Sequence, residues 1–536
     1  MRSSDALIQT LAKLGTQYIF ALSGNQVMPI FDACQDSDIK LIHVRHESSA
    51  VHMADAWGRL TGQPGVALVP AGPGFANALS ASYVAQMAES PVVILSGSAP
   101  LSTMGRGAFQ EMAQVEMATA VSKSAWMVTD PERVGQEIPR AFEIAANGRP
   151  GPVHLVLPFD GLEQNVSADL NLGPIKNQSE TDLTDWIDEV LCSIAAAKRP
   201  LLLAGPAVMR QPNFWLWAEQ LSQSGIPLIG MESPRGVNDP ALGQFATILQ
   251  KADLLILLGK KLDFTLKMGE PPFLTERVKL YQIDFDDAVL NLSKGNGERL
   301  NLASLQTGNP YRALQEIANN VQSRPEQQAD WFDAVQTAIG YQPQSWFKSR
   351  SGEGEPLQAS EVGQVIQSYL TDEEAVLIAD GGEFSQWMQA LVKTKHRVIN
   401  GPSGSIGNAI PFGLAARLAY PNAKIVACMG DGGFGFIPFE MDTAVRYDLP
   451  FTLIIGNDAR WNAELQIQKR NYGADRIRDV MLNRTNYDQV VEALGGWGQT
   501  VTTIEALQQA LIDAAQSGLP ACINAHIQGE AAPKLS

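Results

Sequence analysis

Runs of β-branched and aliphatic residues recur along the chain, each closed by Gly, Pro or Asp, and stretches with helical apolar spacing separate them. That alternation predicts parallel strands joined by crossover helices. In the first third, GVALVP (65–70) reads as a buried strand, AGPG (71–74) as a turn, FANALSASYVAQMAE (75–89) as a helix and PVVILSG (91–97) as the next strand. The middle third repeats the pattern with PLLLAG (200–205), IPLIG (226–230), ADLLILLG (252–259) and KLYQID (279–284). No GxGxxG follows any of these strands, so a nucleotide site there has no support. The last third carries AVLIADGG (375–382), AKIVACMGDGG (423–433), PFTLIIGND (450–458) and PACINAHI (520–527). Its first three strands each end in Gly with Asp. Ligands of an open parallel sheet sit beyond the carboxyl ends of the strands, which places Asp380, Asp431 and Asp458 at one expected crevice.

Two stretches interrupt the pattern, the polar 162–182 and the charged, Gly-rich 323–358. The expected fold is therefore α/β, three doubly wound parallel-sheet domains at 1–165, 183–325 and 355–536. A chain of 536 residues is too long for one core, and 45% hydrophobic against 18% charged residues is the balance of large buried cores. A net charge of −17 without basic clusters argues against a nucleic-acid or anionic-membrane partner. Cys34, Cys192, Cys428 and Cys522 show no CxxC spacing and read as buried free thiols. The N-terminus has no signal-peptide core and no stretch spans a membrane, so a cytoplasmic location is expected.

MGDGGFGF (429–436) sets three glycines, Gly430, Gly432 and Gly433, around Asp431 directly after an apolar run. Glycines let backbone amides approach an anion, while a carboxylate beside them repels a phosphate unless a cation lies between. Asp431 thus reads as a ligand of a hard cation such as Mg²⁺, with Asp458 at the neighbouring strand end as the second. A tight strand-to-helix turn accounts for the same residues equally well.

GDGG, followed by Glu440 and then IIGNDARW, resembles the signature of thiamine-diphosphate-dependent enzymes. The resemblance covers all three blocks, naming them pyrimidine-binding, central and diphosphate-binding. It implies Mg²⁺ held by Asp431, Asp458 and the main-chain carbonyl of Arg460, with Asn457 the alternative if the register slips by one. RHESSAVHMADAWGRLTG (45–62) is similar to the stretch carrying the cofactor-activating glutamate, here Glu47. The proton at C2 of a thiazolium is weakly acidic. A carboxylic acid must therefore bond the far nitrogen of the aminopyrimidine, which then serves as the base. Read without the family, Glu47 is an ordinary first-turn glutamate. NGPSGSIGNAIPFGLAARLA (400–419) resembles the stretch that bends the cofactor, with Ile406 as the wedge and Gly404, Ser405 and Ile406 along the pyrimidine edge. The resemblance further implies that Gly381, Gly382, Gly430, Gly432, Gly433 and Trp461 line the cofactor.

Features of the pocket divide the family. In ALSGNQVMPIFDA (21–33), Asn25 and Gln26 replace the Ala-His pair of benzaldehyde lyase near the reacting carbon. GAFQEMAQVEM (107–117) resembles acetolactate synthases, offering Gln110 to the substrate, and the paired histidines of pyruvate decarboxylase are missing. LLGKKLDFTLKMGEPPF (257–273) is similar to 2-hydroxyacyl-CoA lyases and oxalyl-CoA decarboxylases, and the Arg-Phe-Asp-Asp-Arg run of FAD-binding members is absent, which argues against FAD. The C-terminal QGEAAPKLS supplies one Lys and no Arg for CoA phosphates, ranking free 2-oxo acids above CoA substrates. The expectation is an acetolactate synthase-like carboligase. It decarboxylates a 2-oxo acid such as pyruvate and ligates the remainder to a second carbonyl, in a homodimer or homotetramer with its site at a subunit interface. The alternatives are a lyase for 2-hydroxyacyl-CoA or oxalyl-CoA substrates and a non-catalytic cofactor-binding homologue.

Overall fold

A computed structural model describes residues 1–167, 181–322, 329–348 and 354–535. Parts of the two expected breaks, 168–180, 323–328 and 349–353, lie outside the described residues. The chain forms two compact units, Met1–Ile175 with Ser345–Pro533, and Lys176–Gln344 with Lys534–Ser536.

The first unit holds two six-stranded sheets. Its N half contains β1 (Tyr18–Ala21), β2 (Lys40–His43), β3 (Gly65–Val69), β4 (Val92–Ser98), β5 (Ser124–Met127) and β6 (Pro152–Pro158), in the order 2-1-3-4-6-5. In the second unit, β7 (Pro200–Ala204), β8 (Leu228–Gly230), β9 (Leu254–Leu258), β10 (Lys279–Asp284) and β11 (Asn301–Thr307) make a sheet of order 11-10-9-7-8. The C half of the first unit has β12 (Val376–Ala379), β13 (His396–Ile399), β14 (Ile425–Gly430), β15 (Thr452–Asn457), β16 (Trp497–Val501) and β17 (Ala521–His526), ordered 13-12-14-15-17-16. Every pair in the three sheets is parallel, as the alternating pattern requires. Taken from its first strand, the C-half order is the N-half order again.

The two halves meet through equivalent helices, Glu47–Thr61 after β2 and Ala409–Ala419 after β13. Small residues on both helices, among them Ala50, Ala54, Ala415 and Ala416, are fully buried and allow close approach. One apolar cluster draws Phe20 and Met53 from the N half and Phe412 and Leu453 from the C half. Arg59, paired within its own helix with buried Asp55 at 2.6 Å, reaches across the joint, donating to the Ile399 carbonyl at 2.6 Å and lying 5.2 Å from the Phe412 ring centroid. Removing one partner of such a pair costs roughly 3–5 kcal/mol, because the other is left buried and charged.

Several elements differ in extent from expectation. The helix expected at 75–89 is Pro73–Met87, since Pro73 suits the first helical turn, where its missing N–H is not needed. The AGPG stretch is therefore half turn and half helix. The strand expected at 226–230 starts at Leu228, after Pro227, which offers no N–H. Inside the break read at 323–358 lies a helix, Ala329–Ile339, whose Trp331 and Val335 are buried in the second unit's core. All four cysteines are free, but Cys192 is exposed on the helix Thr184–Ala196 and is not the buried thiol expected. No helix among the described residues is long and apolar enough to cross a membrane.

Candidate cofactor and metal site

The adjacent strands β12, β14 and β15 deliver Asp380, Asp431 and Asp458 to one end of the C-half sheet. Register pairs Gly430 with Gly456, so the chain leaves β14 directly into Asp431 and β15 two residues later into Asp458. Asp431 is 3% exposed and Asp458 5%. Burial raises the pKa of Asp431, opposed by the nearby amides of Gly432, Ala459 and Arg460. Burial, and next the Asp431 charge, push Asp458 up to about 7, against the opposing charges of Arg460 and Arg484. The Gly432 N–H donates to Asp431 Oδ1 at 2.9 Å, whereas Oδ2 is buried with no hydrogen-bond partner. Two adjacent buried carboxylates, one with an unpaired oxygen, form a donor set that fits a hard divalent cation. Among the described residues no cluster of three or more His, Cys, Asp or Glu forms a metal site, so an ion here draws its other oxygens from main chain, phosphate or water.

Asn457, the alternative ligand, is turned away. Its Nδ2 donates to the Thr485 carbonyl and to Asn524 Oδ1, both at 3.0 Å, and its Oδ1 accepts from the Ala459 amide. Ala459 has φ +59°, a left-handed conformation that bends the chain between Asp458 and Arg460.

Gly432 and Gly381 are required by close approach. A Cβ on Gly432 would stand 2.8 Å from the Trp461 ring, and one on Gly381 would stand 2.4 Å from Ile406 Cγ2. Gly381 caps the helix Gly382–Leu391, whose N-terminal amides face the anion-favouring end of the helix dipole. Asp380, whose Oδ2 accepts the Gly407 N–H at 2.7 Å, secures the loop that carries Gly404, Ser405 and Ile406. Burial pushes Asp380 up to about 7, and its Oδ1 has no partner. Sequence reasoning placed Asp380 at the crevice but gave it no role, and it did not single out the neighbouring Asn408, buried with both side-chain polar atoms unpaired.

In the N half, Glu47 opens its helix and is 8% exposed, with Oε2 accepting from Asn77 Nδ2 at 3.0 Å. The N-cap is His46, whose Nδ1 accepts the Ser48 N–H, so Glu47 does not cap the helix. Asn25 and Gln26 line a cleft of about 470 Å³ with Arg106 and Phe109. Gln110 does not line that cleft. It has φ +59°, and its carbonyl packs against Gly72. Gln114 was not expected: buried, it accepts the Gly72 N–H at 3.2 Å and donates to Ser96 at 2.8 Å and the Gly97 carbonyl at 3.1 Å, tying the pocket loops together. No hydrogen bond joins Asn25, Gln26 or Gln110 to the C-half cluster among the described residues. Glu47 is tied to the C half one step removed, through the main chain of Arg45 and His46.

Two domain families match the chain, the thiamine pyrophosphate enzyme N-terminal TPP binding domain over residues 1–117 and the C-terminal TPP binding domain over residues 380–525. Relatives include a "Probable acetolactate synthase" of Mycobacterium bovis, 28% identical over 98% of this chain and 95% of its own length. The human "2-hydroxyacyl-CoA lyase 2" is 27% identical over 90% of this chain and 85% of its own. A "Probable acetolactate synthase large subunit" of Methanocaldococcus jannaschii is 26% identical over 97% and 91%. The first match contains Glu47, Asn25 and Gln26, and the second contains Gly381, Asp431, Asp458 and Trp461. The chain thus carries the N- and C-terminal TPP binding domains of a thiamine-diphosphate-dependent enzyme, and it is similar over nine-tenths or more of its length to acetolactate synthases and to 2-hydroxyacyl-CoA lyases.

Proposed function

We propose that the protein is a thiamine-diphosphate- and Mg²⁺-dependent carboligase that decarboxylates a 2-oxo acid such as pyruvate and joins the remainder to a second carbonyl. The observation that carries the metal and cofactor part is the Asp431–Asp458 pair, two buried carboxylates of which Asp431 has an unpaired oxygen and raises the pKa of Asp458. Asp431, Asp458 and the Arg460 carbonyl hold Mg²⁺, and the amides of Gly381 and Gly382 hold the diphosphate. Gly430, Gly432, Gly433 and Trp461 line that end of the cofactor. Ile406, packed on Gly381, supports the bend between the rings, while Gly404, Ser405 and Ile406 border the pyrimidine. When bound, thiamine diphosphate supplies the carbon nucleophile and the electron sink for C–C cleavage. Glu47 would exchange a proton with the pyrimidine nitrogen, and Asn25 and Gln26, which line the cleft, would orient the substrate.

The halves of the site lie on different sheets, and the family resemblance supports pairing the N half of one subunit with the C half of another, in a homodimer or homotetramer. The 2-oxo acid reading rests on the GAFQE segment and on the amide-lined cleft with Arg106, a cation of the kind that receives a carboxylate. The second reading, a 2-hydroxyacyl-CoA lyase, is favoured by the relatives of that name. Incubation with thiamine diphosphate, Mg²⁺ and pyruvate is expected to release CO₂ and form acetolactate. Turnover only with 2-hydroxyacyl-CoA compounds would replace the 2-oxo acid reading with the second one.

A further inference from the structure

The connection between β2 and the helix that begins at Glu47 is held by side chains from the C half. Glu440, fully buried at the start of the helix Glu440–Arg446, accepts on Oε1 the main-chain N–H of Arg45 at 3.0 Å and of His46 at 3.1 Å. Its Oε2 accepts the Thr443 hydroxyl at 2.7 Å. Around this carboxylate, the His43 N–H donates to the Tyr447 hydroxyl and Arg446 donates to the His43 carbonyl, both at 2.7 Å. Arg45 reaches Asp442 at 3.2 Å. A buried carboxylate is costly unless its oxygens are satisfied, and here the donors that satisfy it are the two amides immediately preceding Glu47.

We propose that Glu440 is a positioning residue for Glu47. Fixing two successive peptide groups fixes the direction in which the chain enters the helix, and hence the direction in which the first side chain of that helix leaves it. The C half of the same chain thereby sets the aim of the proton-exchanging carboxyl through one short segment. A displacement of about 1 Å at a catalytic group costs on the order of 100-fold in rate. This inference rests on the proposal that Glu47 exchanges a proton with the cofactor, and its test separates the two.

The wild type and the variants Glu47→Ala, Glu440→Ala, Glu440→Gln and Tyr447→Phe are compared in three measurements. These are amide hydrogen exchange of the unloaded protein over residues 43–50, calorimetric affinity for thiamine diphosphate with Mg²⁺, and the rate of C2 proton exchange by NMR. For Glu440→Ala we expect protection of Arg45 and His46 to fall, affinity to stay within about threefold, and C2 exchange to slow about tenfold or more. Glu440→Gln keeps an oxygen that accepts both amides and retains more than about a third of the wild-type exchange rate. Should Glu440→Ala not fold, Tyr447→Phe removes one bond to the same connection and slows exchange about two- to fivefold with affinity unchanged. Unchanged exchange in Glu440→Ala, an equal loss of affinity and exchange, a glutamine variant no better than alanine, or an unaffected Tyr447→Phe overturns the inference. Wild-type-like exchange in Glu47→Ala overturns the parent reading instead.

Discussion

The roles proposed for Glu47 and Asp431 rest on what each carboxylate lacks. A first-turn glutamate ordinarily serves the helix dipole, but here His46 caps the helix and Asn77 alone bonds the Glu47 carboxylate among the described residues. Glu47→Ala is expected to slow C2 proton exchange about 100-fold or more, near 2.7 kcal/mol of barrier, while leaving cofactor affinity within a few-fold. Exchange at the wild-type rate, followed by NMR in deuterated buffer, would remove Glu47 from its proposed role. The place of Asp431 at a strand end was legible in the sequence because Gly430, Gly432 and Gly433 flank it, and the approach of Trp461 to Gly432 accounts for one of these glycines. The role of Glu440 was not legible, because its partners are the amides of Arg45 and His46, nearly 400 positions away, and no local pattern encodes such a pair.

Strands were the most readable elements, since a parallel strand buried on both faces is a continuous apolar run, as in LLILL of β9 and VLIA of β12. Their ends were less so, because Pro227 and Pro73 shift boundaries by a few residues. The helix Ala329–Ile339 was missed inside a charged stretch, its burial resting on Trp331 and Val335. Strand packing also leaves a pH signature. His154 on β6 is buried, stacked on Phe75 with centroids 4.4 Å apart, and bonded through Nε2 to Ser96 at 2.7 Å. Burial alone pushes its pKa down from 6.5 to about 3, and its neighbours Phe75, Ser96 and Gln114 are uncharged. Below pH 6.5 the unfolded chain gains a proton that the folded chain refuses. The stability this residue contributes is therefore complete above that pH and is lost as the pH falls toward 3. His52, pushed down to about 4 chiefly by burial, acts in the same direction. Urea unfolding at pH 7 and 5 should show the wild type losing more stability than His154→Gln. Parallel losses would contradict the assignment.

At the scale of the whole molecule, three parallel α/β sheets were legible from alternation alone. The shared strand order of the N and C halves was not, because two sheets can follow one topology with unrelated sequences. That shared order places helices 47–61 and 409–419 equivalently, and their packing makes a single unit of segments at opposite ends of the chain. Calorimetric titration decides whether this unit offers a metal-dependent diphosphate site at Asp431 and Asp458. Metal-stripped wild type and Asp431→Asn are titrated with thiamine diphosphate, with and without Mg²⁺. Wild-type binding is expected to be at least about tenfold tighter with Mg²⁺ than without it, with no such gain in the variant. Equal affinity with and without Mg²⁺ in the wild type, or an undiminished gain in Asp431→Asn, would contradict this expectation.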